Sequence, residues 1–388
     1  MRIIYGHGNC TDRMYKKIFS EKNNSAFLPV QKYHGLLIKG FSKAGAEVRC
    51  FSGLPVNRSI TDRKLIREKD EQEGNAYHHY ITTINYPIIR HLMVFFGSFF
   101  GVLRLKKQVN SFAVCDFLNI AVSLGVSLGC KIKGIKRVAV VTDIPDMFDT
   151  GKLWKKIRNF VMRRFDGYIF LTEYMKEFID EKSPYIVLEG HIDSDIVPSP
   201  SEASYELSTG KRIIIYAGNI HVKYGIKYFV EGFVEADIPH TELRVYGEGD
   251  FRAELEKLAE RYPSVKYMGM RDNDEIVAEE QKAALLVNPR PTAPEYTKYS
   301  FPSKNMEYMV SGTPTLTTKL PGMPKEYDKY VYLIEDETVE GVARVLKEIF
   351  LQPYEMRKRK AEAAREFVLK EKSNVVQAKK IMNFMLDL

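Results

Sequence analysis

The sequence predicts an α/β protein made of two doubly wound domains, each with a parallel sheet covered by helices. Short β-rich runs alternate with amphipathic stretches in both halves of the chain. A segment rich in Ser and Pro lies near the middle, and the alternation begins again after it. The length of 388 residues also exceeds what one hydrophobic core usually organises. These observations together favour two Rossmann-like domains.

The first domain is predicted to span residues 1–198. Its strands are expected at 1–6, 112–117, 136–143 and 167–172, and an amphipathic helix at 33–45. This order favours a parallel sheet with helices on both faces. Residues 199–210, rich in Ser and Pro, form the predicted linker.

The second domain is predicted at 211–370 and repeats the pattern. Its strands are expected at 212–218, 241–247, 264–269, 284–290 and 313–318, with helices at 228–236 and 251–262. The basic run RKRKAEAAR at 357–365 is interpreted as a solvated helix face. The last segment, 371–388, is predicted to be a helix that crosses back to the first domain.

The amino-acid composition limits which partners and which cellular compartment we expect for this protein. A formal net charge of +8 suits nucleic acid, an anionic membrane surface or phosphorylated small molecules. No recognised nucleic-acid-binding module accompanies this charge, so nucleic acid is not an expected partner. The four cysteines lack CxxC or metal-ligand spacing, and MRIIYGHGNC contains no apolar signal-peptide region. We therefore expect a cytoplasmic protein.

Residues 300–316, SFPSKNMEYMVSGTPTL, carry the signals of a short helix. Pro302 and Ser303 are start signals, since Pro presets the backbone and a Ser oxygen can accept from the free amides of the first turn. The Gly-Thr-Pro sequence after the helix is a stop signal. Between these signals Lys304 and Glu307 are left without an evident packing role.

Further loops follow strands at the same predicted edge of the second sheet, and they contain Gly218, Gly247, Gly249, Arg290 and Lys298. Ligands of doubly wound domains bind at this edge, where loops meet helix N-termini. A diphosphate there would receive backbone amides, the positive end of the helix dipole and a bond from a basic side chain. Ordinary turn glycines are the alternative for any single GxG.

Glu307 lies one turn beyond the predicted phosphate-binding end, near where the sugar of a nucleotide would sit. A carboxylate can accept hydrogen bonds from both vicinal ribose hydroxyls. A solvent-facing glutamate is the alternative.

The segments YAGNI and KYG, VYGEGD, NPR and SFPSKNMEYMVSGTPTL resemble the donor-binding domain of retaining GT-B glycosyltransferases of the family 4 type, in particular those that build bacterial surface polysaccharides. GHG, VVTDIPD, FDGYIFLTEYMKEF and VLEGHIDSD give a weaker resemblance in the first domain. The resemblance implies two domains facing a cleft and a nucleotide-sugar donor. It also implies a saccharide or lipid-linked acceptor, retained anomeric configuration and no bound metal or other cofactor.

When the family's motif is matched to this sequence, the resemblance implies that Glu307 binds the ribose and that Ser303 and Lys304 contact the diphosphate. The donor segment before them consists of Tyr299, Ser300, Phe301 and Pro302. Gly218 opens the donor loop, and Asn219 stands where the family usually has Arg. The positive charge that this Arg supplies in the family could come here from Lys223, Lys227 or Arg290.

A second departure concerns the acid that usually faces the donor sugar. Tyr299 stands eight positions before Glu307, where the family has its first glutamate. Glu295 could reach in from the same loop, or backbone groups could position the sugar instead.

The first domain supplies weaker candidates. Asp143 and Asp146 in TDIPD could orient the acceptor hydroxyl, or could be turn residues. Gly6, His7 and Gly8 could touch donor or acceptor, although a tight turn needs only the glycines.

No metal site is expected. DND at 272–274 and DSD at 193–195 are interpreted as loop acids rather than a DxD metal loop. His78 and His79 are adjacent but lack a third ligand at useful spacing.

Two other functions stay open at this point. One is different nucleotide-sugar chemistry on the same scaffold, such as epimerisation, which needs no acceptor. The other is a catalytically silent homologue that binds a partner, which the residues Tyr299 and Asn219 make credible.

Residues 86–107, YPIIRHLMVFFGSFFGVLRLKK, raise the question of membrane contact. Between His91 and Arg104 lie twelve residues, all apolar except Ser98. This run is too short to cross a hydrocarbon core of about 30 Å. A buried core helix is one interpretation. The basic flanks favour the other, a peripheral contact with an anionic membrane at its inner face.

Overall fold

The structure, a computed structural model, describes residues 1–19, 29–143, 160–196, 206 and 209–388. It divides the chain into two compact units. Unit 1 comprises Met1–Ser194 and Lys372–Leu388, and unit 2 comprises Asp195–Glu371. Asp146 and most of the predicted linker lie outside the described residues.

Unit 1 contains an eight-stranded sheet in the order β10-β9-β8-β7-β1-β2-β5-β4, with β4 antiparallel to β5 and the other pairs parallel. A separate antiparallel pair is formed by β3 and β6. The strands are β1 (Arg2–His7), β2 (Glu47–Ser52), β3 (Leu65–Ile66), β4 (Glu71–Glu73), β5 (Ala76–Tyr80), β6 (Thr83–Ile84), β7 (Ser111–Asp116), β8 (Lys136–Val141), β9 (Gly167–Phe170) and β10 (Tyr185–Val187).

The helices of unit 1 cover this sheet. Among the described residues they include α1 (Asp12–Phe19), α2 (Pro29–Lys43), α3 (Pro87–Arg104) and α4 (Ile120–Ile132), together with the terminal helix Asn374–Leu386. The terminal helix packs on α2, where Gly40 lies so close to the Asn374 carbonyl that a side chain would collide with it.

Unit 2 has a six-stranded, all-parallel sheet in the order β13-β12-β11-β14-β15-β16. Its strands are β11 (Arg212–Ala217), β12 (Thr241–Tyr246), β13 (Val265–Gly269), β14 (Leu285–Asn288), β15 (Thr315–Thr318) and β16 (Tyr332–Ile334). Its helices are α5 (Ile226–Ala236), α6 (Arg252–Arg261), α7 (Asn273–Lys282), α8 (Ser303–Ser311), α9 (Val339–Leu351) and α10 (Tyr354–Glu371), and the terminal helix is α11.

The predicted α/β class with two Rossmann-like parallel sheets is confirmed. The central strands are buried on both faces, as Ile213, Ile214 and Ile215 of β11 show. This burial explains why they read as continuous apolar runs in the sequence.

The interpretation of 357–365 as a solvated helix face was wrong at Arg357. Its side chain is 2% exposed, and its guanidinium donates to both carboxylate oxygens of Glu206 at 2.6 and 3.0 Å. A buried arginine is tolerated here because a bidentate carboxylate neutralises it.

The expectation that the segment in 86–107 is too short to cross a membrane was wrong. The twelve-residue apolar run lies within helix α3, which begins at Pro87 and has 18 residues. Among the described residues it is the one helix whose length and composition would allow it to cross a membrane, with a mean hydropathy of 1.3 and 17% of its residues buried. Its Val94, Ser98 and Val102 are buried and it packs on α4.

Candidate active site

The candidate site lies in unit 2, where the order of strands reverses between β11 and β14. Doubly wound sheets bind ligands at this switch point, outside the carboxyl ends of the strands. Gly218 follows β11, and Pro289 and Arg290 follow β14. The sequence therefore brings the predicted loops to the position where such a sheet binds its ligand.

Two glycine loops are in direct contact at this edge. Gly247 has φ +129°, and a Cβ there would lie 1.8 Å from the Gly218 carbonyl oxygen. The Ile220 amide donates to the Glu248 carbonyl at 3.0 Å, and the Phe251 amide donates to the Ile220 carbonyl at 3.1 Å. Close backbone packing therefore requires glycine at 247, and it fixes the path of the chain after β11.

Helix α8 is anchored to the strand ends by two buried side chains. The Tyr308 hydroxyl bonds the amide and the carbonyl of Ala217 at 3.2 and 3.3 Å. Asn305 accepts from the Asn288 side chain at 2.7 Å and donates to the Thr317 hydroxyl at 3.2 Å. These bonds place the N-terminus of α8 beside the ends of β11, β14 and β15.

The first turn of α8 has no side-chain cap among the described residues. Pro302 is the N-cap residue, so the expectation that a Ser oxygen would accept from this turn was wrong. The Asn305 amide donates to the Pro302 carbonyl at 2.9 Å, and Ser303 is exposed. The amides of Ser303 and Lys304 belong to this first turn, at the positive end of the helix, where no helical carbonyl accepts from them.

Lys304 lies against Gly218. A Cβ on Gly218 would stand 3.4 Å from the Lys304 Cε and 3.5 Å from the Tyr216 hydroxyl. Tyr216 donates to the Asn219 carbonyl at 2.6 Å. Burial raises the pKa of Tyr216, so it stays neutral and serves to hold this loop.

Arg290 lies between two aromatic rings. Its guanidinium carbon is 5.6 Å from the centre of the Tyr224 ring and 5.4 Å from that of Tyr296. Its buried Nε has no hydrogen-bond partner among the described residues. The carbonyl of the preceding Pro289 accepts from the Tyr228 hydroxyl at 2.7 Å, which fixes the loop that carries Arg290.

Two other predicted cations differ in their surroundings. The Lys227 ammonium pairs with Glu254 at 2.7 Å. Lys223 is exposed, and its ammonium lies 5.1 Å from the centre of the Tyr224 ring, which Arg290 also faces. Lys223 and Arg290 thus both lie near the ring of Tyr224, whereas Lys227 is paired with an acid.

The loop before α8 holds the residues predicted to face the donor sugar. Residues 295–299 form a short 3-10 helix, whose Thr297 hydroxyl donates to the Thr292 carbonyl at 2.9 Å. Glu295 is 82% exposed and pairs with Lys298 at 3.2 Å. Tyr299 lies beneath the Lys298 ammonium at 4.7 Å from the centre of its ring. The assignment of Glu295 to the donor sugar stays a prediction.

Phe301 and Ser300 complete the segment. Phe301 is buried against Tyr327, with ring centres 5.1 Å apart, so its role is to pack the loop. The Ser300 hydroxyl oxygen is buried and has no hydrogen-bond partner among the described residues. Glu307 is half-buried on α8, one turn after Ser303.

The candidates of unit 1 lie at its own switch point, between β1 and β7. A Cβ on Gly6 would stand 2.9 Å from Val126, and one on Gly8 would stand 2.1 Å from the Asn119 side chain. Close packing on α4 and its N-cap thus accounts for both glycines. His7 between them is 1% exposed, and Asp143 is half-buried just after β8.

Sequence reasoning missed the residues that hold the site together, namely Asn305, Tyr308, Tyr216 and Tyr224. Their partners lie far away in the chain, so no local motif marked them. A weak signal was available for Asn305, since a polar residue at a buried helical position needs hydrogen-bond partners.

Residues 200–367 match the family described as "Glycosyl transferases group 1". The matched residues lie within unit 2, which spans Asp195–Glu371. No curated protein sequence matches the chain.

Solved structures share the fold over the whole chain. The Anabaena protein HepE in complex with UDP has a TM-score of 0.68 at 12% identity, with all of both chains covered. A glycosyltransferase from Rickettsia africae has a TM-score of 0.68 at 13% identity, covering 100% of this chain and 98% of its own. Sucrose-phosphate synthase from Thermosynechococcus elongatus has a TM-score of 0.65 at 14% identity, covering 100% and 99%. The fold of the chain is GT-B.

Proposed function

We propose that this protein is a retaining glycosyltransferase that moves a sugar from a nucleotide-diphosphate sugar to a saccharide or lipid-linked saccharide acceptor. We place it in cell-surface polysaccharide assembly, at the cytoplasmic side of the membrane. The observation that carries the proposal is the uncapped N-terminus of α8, fixed at the switch point beside Lys304 and Gly218. The group 1 match of unit 2 and the GT-B fold support it.

In this proposal the diphosphate lies on the first turn of α8. The amides of Ser303 and Lys304 donate to it, and the Lys304 ammonium adds a charge-assisted bond. Arg290 supplies a second cation from the end of β14, and Lys223 a third from the loop after β11. The free donor capacity of the buried Arg290 Nε and Ser300 hydroxyl suits an acidic ligand.

The nucleoside part of the donor lies further along α8. Glu307 accepts from both ribose hydroxyls, one helical turn after the diphosphate. The HepE structures contain UDP or UDP-glucose, so UDP sugars are the first donors to test.

Cleavage of the bond between the anomeric carbon and the diphosphate puts negative charge on the leaving group. Amides and cations already held in place stabilise that charge, which lowers the barrier. These amides and cations are held in place because Tyr308 and Asn305 fix α8 and Tyr228 fixes the loop of Arg290. The β-phosphate takes the acceptor proton in a front-face transfer, and Asp143 orients the acceptor hydroxyl.

We assign no metal to the donor site. In the DSD loop, Asp193 pairs with Lys39 at 2.7 Å, and in the DND loop, Asp272 is the N-cap residue of α7. These positions support the interpretation of both loops as loop acids. Protein cations carry the leaving-group charge in this proposal.

The acceptor domain docks on an anionic membrane through α3. Ile88, Leu92, Phe96 and Phe100 recur every four residues, so they form one stripe along the helix. All four are exposed, from 49% to 77% of the side chain. Leu128 and Ile132 of α4, also exposed, add to this apolar surface.

Charge complementarity identifies the occupant of this stripe as an anionic lipid surface. Arg104, Lys106 and Lys107 are exposed at the C-terminal end of α3, and Lys131 is exposed on α4. Apolar side chains flanked by cations bind the interface of anionic bilayers. A lipid-linked acceptor would be presented at that interface.

The test is a panel of UDP, GDP and ADP sugars with two readouts. We expect one nucleotide class to raise the melting temperature of the full-length protein and to lose this effect in Lys304→Ala. Mass spectrometry with saccharide and lipid-linked acceptors then shows the added sugar. Failure of every nucleotide to stabilise the folded protein would contradict the proposal, and release of an altered sugar without acceptor would favour epimerisation.

A further inference from the structure

His7, Cys50 and His78 lie together on one face of three neighbouring strands of unit 1. Register pairs Tyr5 of β1 with Cys50 of β2, and Cys50 with His78 of β5. His7 lies two residues after Tyr5 and therefore on the same face of the sheet. One nitrogen or sulfur atom from each of the three side chains lies within 4.8 Å of the other two.

The polar atoms of this cluster are buried and largely unsatisfied. His7, Cys50 and His78 are 1%, 1% and 3% exposed. Neither ring nitrogen of His78, nor Nε2 of His7, has a hydrogen-bond partner among the described residues. Buried polar groups without partners are costly and rare, so unsatisfied nitrogens on both histidines, beside a buried thiol within 4.8 Å, indicate a ligand.

We propose that Cys50, His7 and His78 bind one Zn²⁺ ion, through the thiolate and one ring nitrogen of each imidazole, with water in the fourth position. Thiolate and imidazole are the ligands that zinc prefers. Bonds of about 2.0–2.3 Å in a tetrahedral site place ligand atoms roughly 3.5 Å apart, so the side chains draw together by about 1 Å. All three ligands belong to unit 1, whereas the proposed donor site is formed by residues of unit 2.

The protonation states suit a cation. Burial lowers the pKa of His78 to about 4 and that of His7 well below its usual value, so both imidazoles are neutral at pH 7. Burial raises the pKa of the Cys50 thiol, which keeps its proton until the metal binds. Glu71 near His78 and Glu73 near Cys50 add negative potential. Binding therefore releases one proton, from the thiol to solvent.

Metal binding is also coupled to the glycine loop after β1. The Asn9 amide donates to Nδ1 of His7 at 3.1 Å. If Nδ1 binds the metal, its lone pair is donated to the metal and cannot accept a hydrogen bond. If Nε2 binds, Nδ1 carries the ring proton. In both cases Nδ1 of His7 no longer accepts from the Asn9 amide, so Zn²⁺ changes the hydrogen bonding of the loop that contains Gly8.

The experiment uses the full-length protein with Co²⁺ as the spectroscopic probe and Zn²⁺ as competitor. We expect one Co²⁺ per chain, a thiolate-to-cobalt charge-transfer band, one proton released, and displacement of cobalt by Zn²⁺. Cys50→Ser should abolish the band, whereas Cys115→Ser, an equally buried strand cysteine, should keep it. His78→Gln should weaken binding at least tenfold, and the exposed neighbour His79→Gln should not.

Hydrogen exchange of the wild type gives a second measurement that needs no variant. The Asn9 amide should exchange faster with Zn²⁺ than without it. Absence of a stoichiometric charge-transfer band in the wild type, or a band that survives in folded Cys50→Ser, would overturn the proposal. Unchanged exchange at Asn9 would overturn the coordination by His7.

Discussion

The phenol of Tyr308 bonds both backbone polar groups of Ala217, since its oxygen accepts from the amide at 3.2 Å and its hydroxyl donates to the carbonyl at 3.3 Å. Ala217 is the last residue of β11, and Tyr308 lies in the middle of α8. One side chain therefore sets the separation between the strand and the helix that form the proposed diphosphate site.

Tyr308→Phe removes this link and leaves a buried amide and carbonyl without the phenol. We expect a loss of about 1–3 kcal/mol in the free energy of unfolding and weaker binding of the nucleotide donor. Urea unfolding and donor titration measure the two effects. Tyr332→Phe is the control, because it also removes one tyrosine hydrogen bond, to Gln352 at 2.7 Å, away from the site. Equal donor affinity in both variants would contradict the positioning role of Tyr308.

Lys304→Ala and Glu307→Ala test the donor site directly. Each variant removes at least one charged hydrogen bond, worth roughly 1.5–3 kcal/mol, so donor affinity or turnover should fall by about tenfold to a hundredfold or more. Neither variant should unfold the protein, since both side chains are only half-buried. Lys347→Ala, an exposed lysine on α9, is the control. Donor titrations and rates that match the wild type for both variants would reject the site.

The central strands could be predicted from the sequence because burial on both faces makes them continuous apolar runs. The run RIIIYA of β11 shows this most clearly. Strands β2 and β5 were not predicted, since EVRCFS and AYHHY contain charged or polar residues. Their place in the sheet depends on pairing with β1 and with each other, which local sequence does not encode.

The candidate site was predicted only in part for the same reason. The positions of Gly218 and Lys304 follow from loop glycines and helix-start signals, which are local patterns. The contact of Arg290 with Tyr224 joins residues that are far apart in sequence. The grouping of His78 with His7 and Cys50 likewise requires three strands to be in register. The pair His78 and His79 alone therefore gave no metal motif.

Arg290→Lys tests whether the planar guanidinium matters at the donor site. Lysine keeps the charge but cannot lie flat between Tyr224 and Tyr296, where cation–π contacts are worth about 0.5–2 kcal/mol. We expect donor affinity to fall several-fold. Arg261→Lys is the control, because Arg261 lies over Tyr262 at 5.2 Å on α6, away from the switch point. An Arg290→Lys variant with wild-type affinity would show that any cation suffices there.

Acid should destabilise unit 1 through its buried histidines. Burial lowers the pKa of His78 and His191 to about 4, and lowers that of His7 well below its usual value. The unfolded chain binds these protons near pH 6.5, so stability is full above that pH and is lost as the pH falls toward 4. For His78 and His191 the loss is about 3 kcal/mol each.

Urea unfolding at pH 7.5 and 5.5 checks this dependence for metal-free protein. His191→Gln should reduce the difference between the two pH values, because glutamine can still donate to the Tyr33 carbonyl but does not titrate. The exposed His79→Gln serves as the control and should leave the difference unchanged. Identical pH dependence in wild type and His191→Gln would contradict the role of His191.

The stripe on α3 predicts reversible binding to anionic membranes. Leu92 and Phe96 lie on the exposed face, while Ser98 and Val102 on the buried face pack close to Gly125 and Gly129 of α4. Charged residues at the exposed positions should therefore abolish binding without unfolding the protein. We expect the wild type to float with anionic vesicles at low salt, to be partly released at high salt, and to ignore neutral vesicles.

The double variant Leu92→Glu, Phe96→Glu should stay at the bottom of the gradient. Its control is Leu351→Glu with Met356→Glu, which adds the same charge at exposed apolar positions of unit 2. The control should float like the wild type, because its added charges lie outside α3. If added negative charge alone prevented binding, both double variants would fail to float. If the folded wild type does not float at low salt, or if the α3 variant floats as well as the control, the stripe does not bind membrane. The acceptor would then have to reach the enzyme from solution.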